Sequence, residues 1–174
     1  QKKKMATNKT MFMSIQYYRD NTIANGNIDS ELLKPAIIKA QNMHIERLLG
    51  TTLFDKVISD IDNNTVSGNT KILLDSYIQP TLLEWTTYEA LPWLNYKLTN
   101  KAVSKKNSDN SDYSELSEVG WLMSNVRDDA EYLSRRLVDY LCANEELFPE
   151  YKTGNDDEDD IKPTSDTYFS GFIL

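Results

Sequence analysis

The chain has one cysteine and one histidine in 174 residues. With Cys142 alone no internal disulfide forms, and the redox compartment is not revealed. Cys142 reads as a small buried apolar group. With His44 alone there is no Cys/His zinc spacing, and no nucleophile motif surrounds a partner for that ring. Six glycines are present, and none falls in a G-x-G-x-x-G or Walker pattern. No apolar run approaches the roughly 20 residues that cross a bilayer. Lys2–Lys4 imitate the start of a signal peptide, but no apolar stretch follows, so none is expected. The first residue is Gln, and Met5, Met11 and Met13 leave the start open. Nineteen basic residues face 27 acidic ones, for a net charge of −8. That balance lacks the basic footprint of a nucleic-acid binder and argues against a helix-turn-helix reader.

What is present is helical periodicity. Between Asp112 and about Asn144 the apolar residues are Leu116, Val119, Met123, Val126, Ala130, Leu133, Leu137 and Tyr140. Their spacing alternates three and four, which predicts a helix about 50 Å long lying along other helices. Asp112 and Glu115 suggest a capping box, and Pro149 stops any continuation. Asp128, Asp129, Glu131, Arg135, Arg136 and Asp139 belong on its wet face. Upstream, Asp29 is expected to cap a helix ending at Leu49, with Leu33, Ile37, Ala40, Ile45 and Leu48 on its core side. Pro35 is expected to set off a lead-in turn, and Gly50 to be the left-handed residue after the helix. Thr52 and Asp55 suggest the next cap, ahead of Leu53, Phe54, Val57, Ile58 and Ile61. From Thr70 to Leu98 the pattern is helical again, with bends or breaks expected at Pro80 and Pro92. The aromatics there (Tyr77, Trp85, Tyr88, Trp93 and Tyr96) suit core packing, with interface anchoring as the alternative.

The fold class expected is all-α: a bundle of about four to five helices with one long helix in the C-terminal half, plus extended arms at both ends. Residues 1–13 read as a flexible N-terminal arm, 14–152 as the helical domain, and 153–174 as an acidic linker and docking tail. The connection 99–111 holds Lys101, Lys105 and Lys106, and the stretch from Lys101 to Lys105 suits extended backbone. That connection is either a solvated loop or an exposed contact to a neighbouring subunit or DNA phosphates. The run Asp156–Asp160 lacks the ligand spacing and central glycine of a calcium loop and reads as a solvated linker. The tail ends in Tyr168, Phe169, Phe172, Ile173 and Leu174. Such an apolar end either docks on a neighbour or folds back on its own domain. Asp128 and Asp129 adjoin on a helix and point apart, so they are no prepared acid pair.

Several segments in order resemble the small head–tail connector proteins of tailed bacteriophages, in the version carried by crAss-like phages. They are the run from Lys34 to Asp55 with Leu49-Gly50-Thr51 and Leu53-Phe54, then Tyr77–Pro80, Tyr88–Pro92 and Leu98–Lys101. The closing pieces are Ala130–Tyr132, Arg136–Leu141 and Phe148–Tyr151. The likeness spans about residues 29–152 and the Ser170-Gly171 tail end, with one departure at Ala102, where glycine is the family's habit. It implies a virion structural protein without catalytic residues, cofactor or metal. Its subunits would form a ring of about twelve copies beneath the portal protein, extending the DNA channel and receiving tail proteins. DNA would pass the lumen without sequence-specific binding, assembly would occur in the host bacterial cytoplasm, and no membrane would be involved. On that reading Tyr168, Phe169, Phe172, Ile173, Leu174, Lys101, Lys105 and Lys106 are the expected contacts to other copies or partners. A helical adaptor or assembly chaperone absent from the particle is the rival, and a metal-dependent hydrolase using the acidic run a weaker one.

Overall fold

The computed structural model describes residues 10–23, 29–94, 96–99, 102–105, 116–151 and 161–163. Helices dominate them, as the periodicity requires. In chain order they are α1 (Ile15–Asn21), α2 (Ser30–Ala40), α3 (Glu46–Leu49), α4 (Thr51–Asp62), α5 (Gly68–Leu73), α6 (Gln79–Leu94) and α7 (Leu116–Ala143). A two-stranded antiparallel hairpin, β1 (Tyr96–Thr99) with β2 (Ala102–Lys105), lies between α6 and α7. Its register pairs Tyr96 with Lys105 and Leu98 with Val103. Of the extended stretch expected from Lys101 to Lys105, residues 102–105 are β2, and Lys101 lies outside the described residues.

The centre is α6. Leu82, Leu83, Trp85, Thr86, Thr87, Ala90 and Leu91 are all buried, so nearly every face of this helix is covered. On one side lies α2 with Leu33, Ile37 and Ala40; on another lies α7 with Ala130, Leu137 and Leu141. The expected seam of α7 therefore faces inward, although its most deeply buried positions run Ala130, Ser134, Leu137, Leu141, and Leu133 sits at the seam's edge. At 28 residues α7 is about 42 Å long. The proposed cap at Asp112 and Glu115 lies outside the described residues.

Neither Pro80 nor Pro92 breaks its helix. α5 passes into α6 through a wide π turn, Leu74–Ile78, which ends just before Pro80. One extra residue per turn changes the donor–acceptor ladder where proline has no N–H to give. A second π turn, Gln41–Ile45, joins α2 to α3, and Pro35 lies within α2, so no separate lead-in turn forms. Asp29 caps α2 as expected, its carboxylate accepting from the Glu31 amide at 3.0 Å.

The flexible arm assigned to residues 1–13 requires correction at its inner end. Phe12 and Met13 are among the most buried side chains, and the Phe12 ring lies 5.0 Å from that of Phe54. The backbone entering this position is held by two glutamines. Gln41 accepts from the Phe12 amide at 2.8 Å and donates to the Thr10 carbonyl at 3.0 Å; Gln79 donates to the Phe12 carbonyl at 2.9 Å. Gln41 is fully buried, so its amide substitutes for a strand partner and leaves no orphaned polar atom. The packed domain thus begins by Thr10. α1 is then pinned to α6: the Thr87 hydroxyl donates to the Leu83 carbonyl and accepts from Tyr18 at 2.9 Å.

Candidate functional site

Two contacts fix how α6 and α7 run. The rings of Tyr77 and Tyr140 stack at 4.0 Å, and the Trp85 indole N–H donates to Ser134 Oγ at 3.0 Å. Residue number rises along one helix as it falls along the other, so the pair is antiparallel. The C-terminal end of α6 therefore lies beside the first half of α7, at the end from which the β hairpin departs. Three of the nine large exposed apolar side chains among the described residues lie toward this end. Trp93 near the end of α6 and Trp121 and Leu122 on α7 are exposed, Trp121 by 70 %. Tyr132 follows Trp121 by three turns and is rotated from it by about 20°; it too is exposed, by 65 %. Val119, Met123 and Val126 cover the inner side of the same stretch. The outer side of the first half of α7 thus sets Trp121 and Leu122 among polar and acidic residues, and burial within this chain does not account for these two side chains.

The charges on that outer face are mostly acidic. Glu118, Asp128 and Asp129 are exposed, while Arg127 turns its guanidinium toward Glu131 at 3.6 Å and Asp128 at 3.8 Å. Arg135 and Arg136 come later, and Arg136 lies over the Tyr77 ring at 5.3 Å. Glu84 of α6 is pushed above the usual carboxylate range by burial and by the negative charge of Asp129.

A second polar cluster lies inside the bundle. His44, in the π turn after α2, stacks on Trp85 with ring centres 3.8 Å apart and planes 5° from parallel. Its Nε2 lies 3.0 Å from Glu89, whose other oxygen accepts from Lys39 at 2.5 Å. Burial holds His44 below the ordinary imidazole value, against the pull of Glu89 upward. Burial alone would raise Glu89, but the hydrogen bonds from His44 and Lys39 outweigh it and hold its carboxyl low. The consistent assignment is a neutral imidazole donating to a carboxylate. Trp85 continues the chain to Ser134, whose hydroxyl donates to the Ala130 carbonyl at 2.7 Å. Every member has a partner, and together they tie α2, α6 and α7. Through these contacts the cluster acts as a structural tie between the three helices.

A third feature is the corner between α3 and α4. Gly50 alone joins the two helices, with φ 73° and ψ 153°. This is not the left-handed helical conformation expected of it but a region open essentially to glycine only. α4 consequently starts at Thr51, ahead of the cap expected at Thr52. Against the corner lies Ile161–Pro163: a Cβ on Gly50 would meet Pro163 Cδ at 2.7 Å. The C-terminal segment folds back on its own domain at least this far.

Of the contact residues expected from the sequence, Tyr168, Phe169, Phe172, Ile173, Leu174, Lys101 and Lys106 lie outside the described residues. Lys105 closes β2. Cys142, expected to be buried, is exposed near the end of α7. Trp121 and Tyr132 were not singled out as contacts. The signal for them was available: Trp121 lies directly opposite Ala130 on a helix whose other face already holds the seam. Among the described residues no group of three metal-ligating side chains comes together, and no helix is long and apolar enough to cross a membrane.

A family profile matches residues 45–161, and the chain belongs to that family, DUF6712, a family of unknown function. The match begins within the π turn that carries His44 and ends on Ile161, so it includes the α3–α4 corner and the first residue of the segment against it, while Pro163 lies just beyond. No curated protein and no solved structure matches the chain.

Proposed function

We propose that this chain is a virion structural protein, a subunit of a head–tail connector ring that docks beneath the portal, extends the DNA channel and links capsid to tail. The observation that carries this reading is the end of the bundle where α6, the hairpin and α7 meet. Two of the protein's three tryptophans are exposed there, beside Leu122. Aromatic side chains left in water on a rigid helix are the usual anchors of protein–protein contacts. A helical bundle with one long helix in its C-terminal half is also the architecture that the connector resemblance implies. Stiff helices packed side by side form a wedge, and identical wedges meeting head to tail close into a ring when the rotation permits.

The test is quantitative mass spectrometry of purified particles of the phage that encodes the chain, scaled to the portal protein. A copy number equal to that of the portal, or a whole multiple of it, is the expected result. Absence from clean particles overturns the connector reading and leaves a non-virion adaptor or assembly chaperone.

A further inference from the structure

We infer that Ile161–Pro163 is an exchangeable clasp. On self-association it seats on the α3–α4 corner of a second copy, making there the contacts it makes with its own corner in the single chain. The inference rests on the connector reading only for the supply of neighbouring copies.

The corner is a made seat for a passing main chain. Gly50 has no Cβ, and one placed there would lie 2.7 Å from Pro163 Cδ. Thr51 beside it offers both kinds of group. Its amide donates to the Ile161 carbonyl at 3.0 Å, and its hydroxyl accepts from the Ile161 amide at 2.9 Å. The same hydroxyl donates to Glu46 at 3.3 Å, so its proton is engaged and its oxygen is left to accept. These contacts are to main chain and to a proline ring, and none depends on which copy supplies the segment.

Two observations point to a second copy. The first is slack. The chain leaves the bundle at the turn Pro149–Tyr151, which packs beside α4, and Tyr151 is buried. α4 has 12 residues and is about 18 Å long, and the seat is at its first residue. From Tyr151 to Ile161 the chain can reach up to about 35 Å, more than the whole length of α4. The excess suffices to cross to a copy packed alongside, since a helix is about 10 Å across. The second is exposure. The clasp satisfies its backbone, but its one large apolar side chain, Ile161, stays 42 % exposed. A clasp lying between two copies would bury it, and burying apolar area favours that arrangement. Exchanging an element between identical chains needs no new contact chemistry. Giving a clasp to one neighbour and receiving one from the other is the head-to-tail pattern of a ring.

Thiol cross-linking of the full chain tests this. Cys142 is the only cysteine, so Cys142→Ser clears the background. Asp55, one turn after Thr51, and Lys162, next to Ile161, are both exposed. Asp55→Cys with Lys162→Cys therefore puts a thiol on each side of the contact at little cost to the fold. A flexible bis-maleimide, added across a concentration series, is expected to shift the denatured protein from looped single chains to covalent species of two or more chains. An equimolar mixture of the two single-cysteine chains should give the covalent heterodimer. Thr51→Val removes the acceptor of the Ile161 amide and is expected to weaken self-association in sedimentation by about threefold to tenfold. Looped single chains throughout the series overturn the inference, as does a wild-type chain that never associates. Unchanged association of a folded Thr51→Val chain overturns it too, because the covalent species would then report collisions; the heterodimer decides if that variant does not fold. The two readings separate. Heterodimers in solution with absence from particles leave the exchange standing and remove the connector. Presence in particles with looped single chains alone does the reverse.

Discussion

Thr51 and Ile161 are 110 residues apart, yet each holds the other's backbone. The Thr51 amide donates to the Ile161 carbonyl at 3.0 Å, and the Ile161 amide donates to Thr51 Oγ1 at 2.9 Å. The first of these satisfies an amide in the opening turn of α4, where helix geometry leaves donors without partners. Beside it, Pro163 occupies the space where any other residue at position 50 would carry its Cβ. One glycine therefore does two things: it turns the chain between helices without an intervening loop, and it leaves room for the returning segment.

Gly50→Ala should therefore cost stability twice. Holding alanine at φ 73°, ψ 153° costs about 1–3 kcal/mol, and the new methyl group displaces Pro163. Urea denaturation is expected to show a lower midpoint. In a Pro163→Gly background the closest clash, with Pro163 Cδ, is absent and only backbone contacts at 3.2 Å remain, so the cost of Gly50→Ala should shrink. An equal cost in both backgrounds would show that Pro163 does not seat against the corner.

The interior side of α7 gives a graded test. Leu137 is fully buried, whereas Leu133 is only partly covered. Leu137→Ala is expected to destabilise by about 2–5 kcal/mol, the range for emptying a close-packed leucine site. Leu133→Ala should cost clearly less. Equal losses in a denaturant titration would mean that the helix is rotated from the orientation given by Ala130, Ser134, Leu137 and Leu141.

Gln41 makes a separate and sharper prediction. Gln41→Ala strips partners from the Phe12 amide and the Thr10 carbonyl at once. Each buried group left unsatisfied costs about 1–3 kcal/mol. The loss should appear locally first, as faster hydrogen exchange at the Phe12 amide, before the global midpoint falls. Protection at Phe12 that survives the substitution would exclude the glutamine clamp.

Much of this architecture is legible in the sequence where a single period carries it. The three-four spacing from Val119 to Tyr140 identifies the long helix and its inner face, and Asp29 announces its own helix. Other features depend on distant partners. Phe12 and Met13 follow a lysine-rich stretch, and only Gln41 and Gln79, far along the chain, show that they are core. Pro80 signals a break, but the π turn before it absorbs the missing donor. Gly50 is readable as a glycine-requiring corner, but not the conformation it takes, because Pro163 shapes it from the far end of the chain. Cys142 looked apolar by its neighbour Leu141, yet on a helix the adjacent position faces another way. The exposed stripe of Trp121 and Tyr132 is visible once the seam is drawn, since both fall opposite it. Aromatic residues taken one at a time favour the core, and that preference hides the stripe.

The His44–Glu89 pair sets the pH response. Burial keeps the imidazole below its ordinary value of 6.5. Below that value the unfolded chain takes up a proton that the folded chain refuses, so stability falls as the pH drops from there toward the folded value. Glu89, held low by His44 and Lys39, acts in the same direction at lower pH: its contribution is present above the ordinary carboxylate value and is lost as the pH falls through the folded one. Glu46 and Glu84 oppose this. Both are raised, chiefly by burial, so the folded chain binds their protons first, and stability from them is greatest in acid and declines as the pH rises. The window just below 6.5 therefore isolates His44 best. His44→Gln keeps an N–H donor for Glu89 and removes the titration. Between about pH 7.5 and about pH 5.5 the wild-type denaturation midpoint should fall, and the variant's should fall less. Parallel profiles for the two proteins would show that His44 takes up its proton as freely in the folded bundle as in water, and the neutral ring stacked on Trp85 would have to be abandoned.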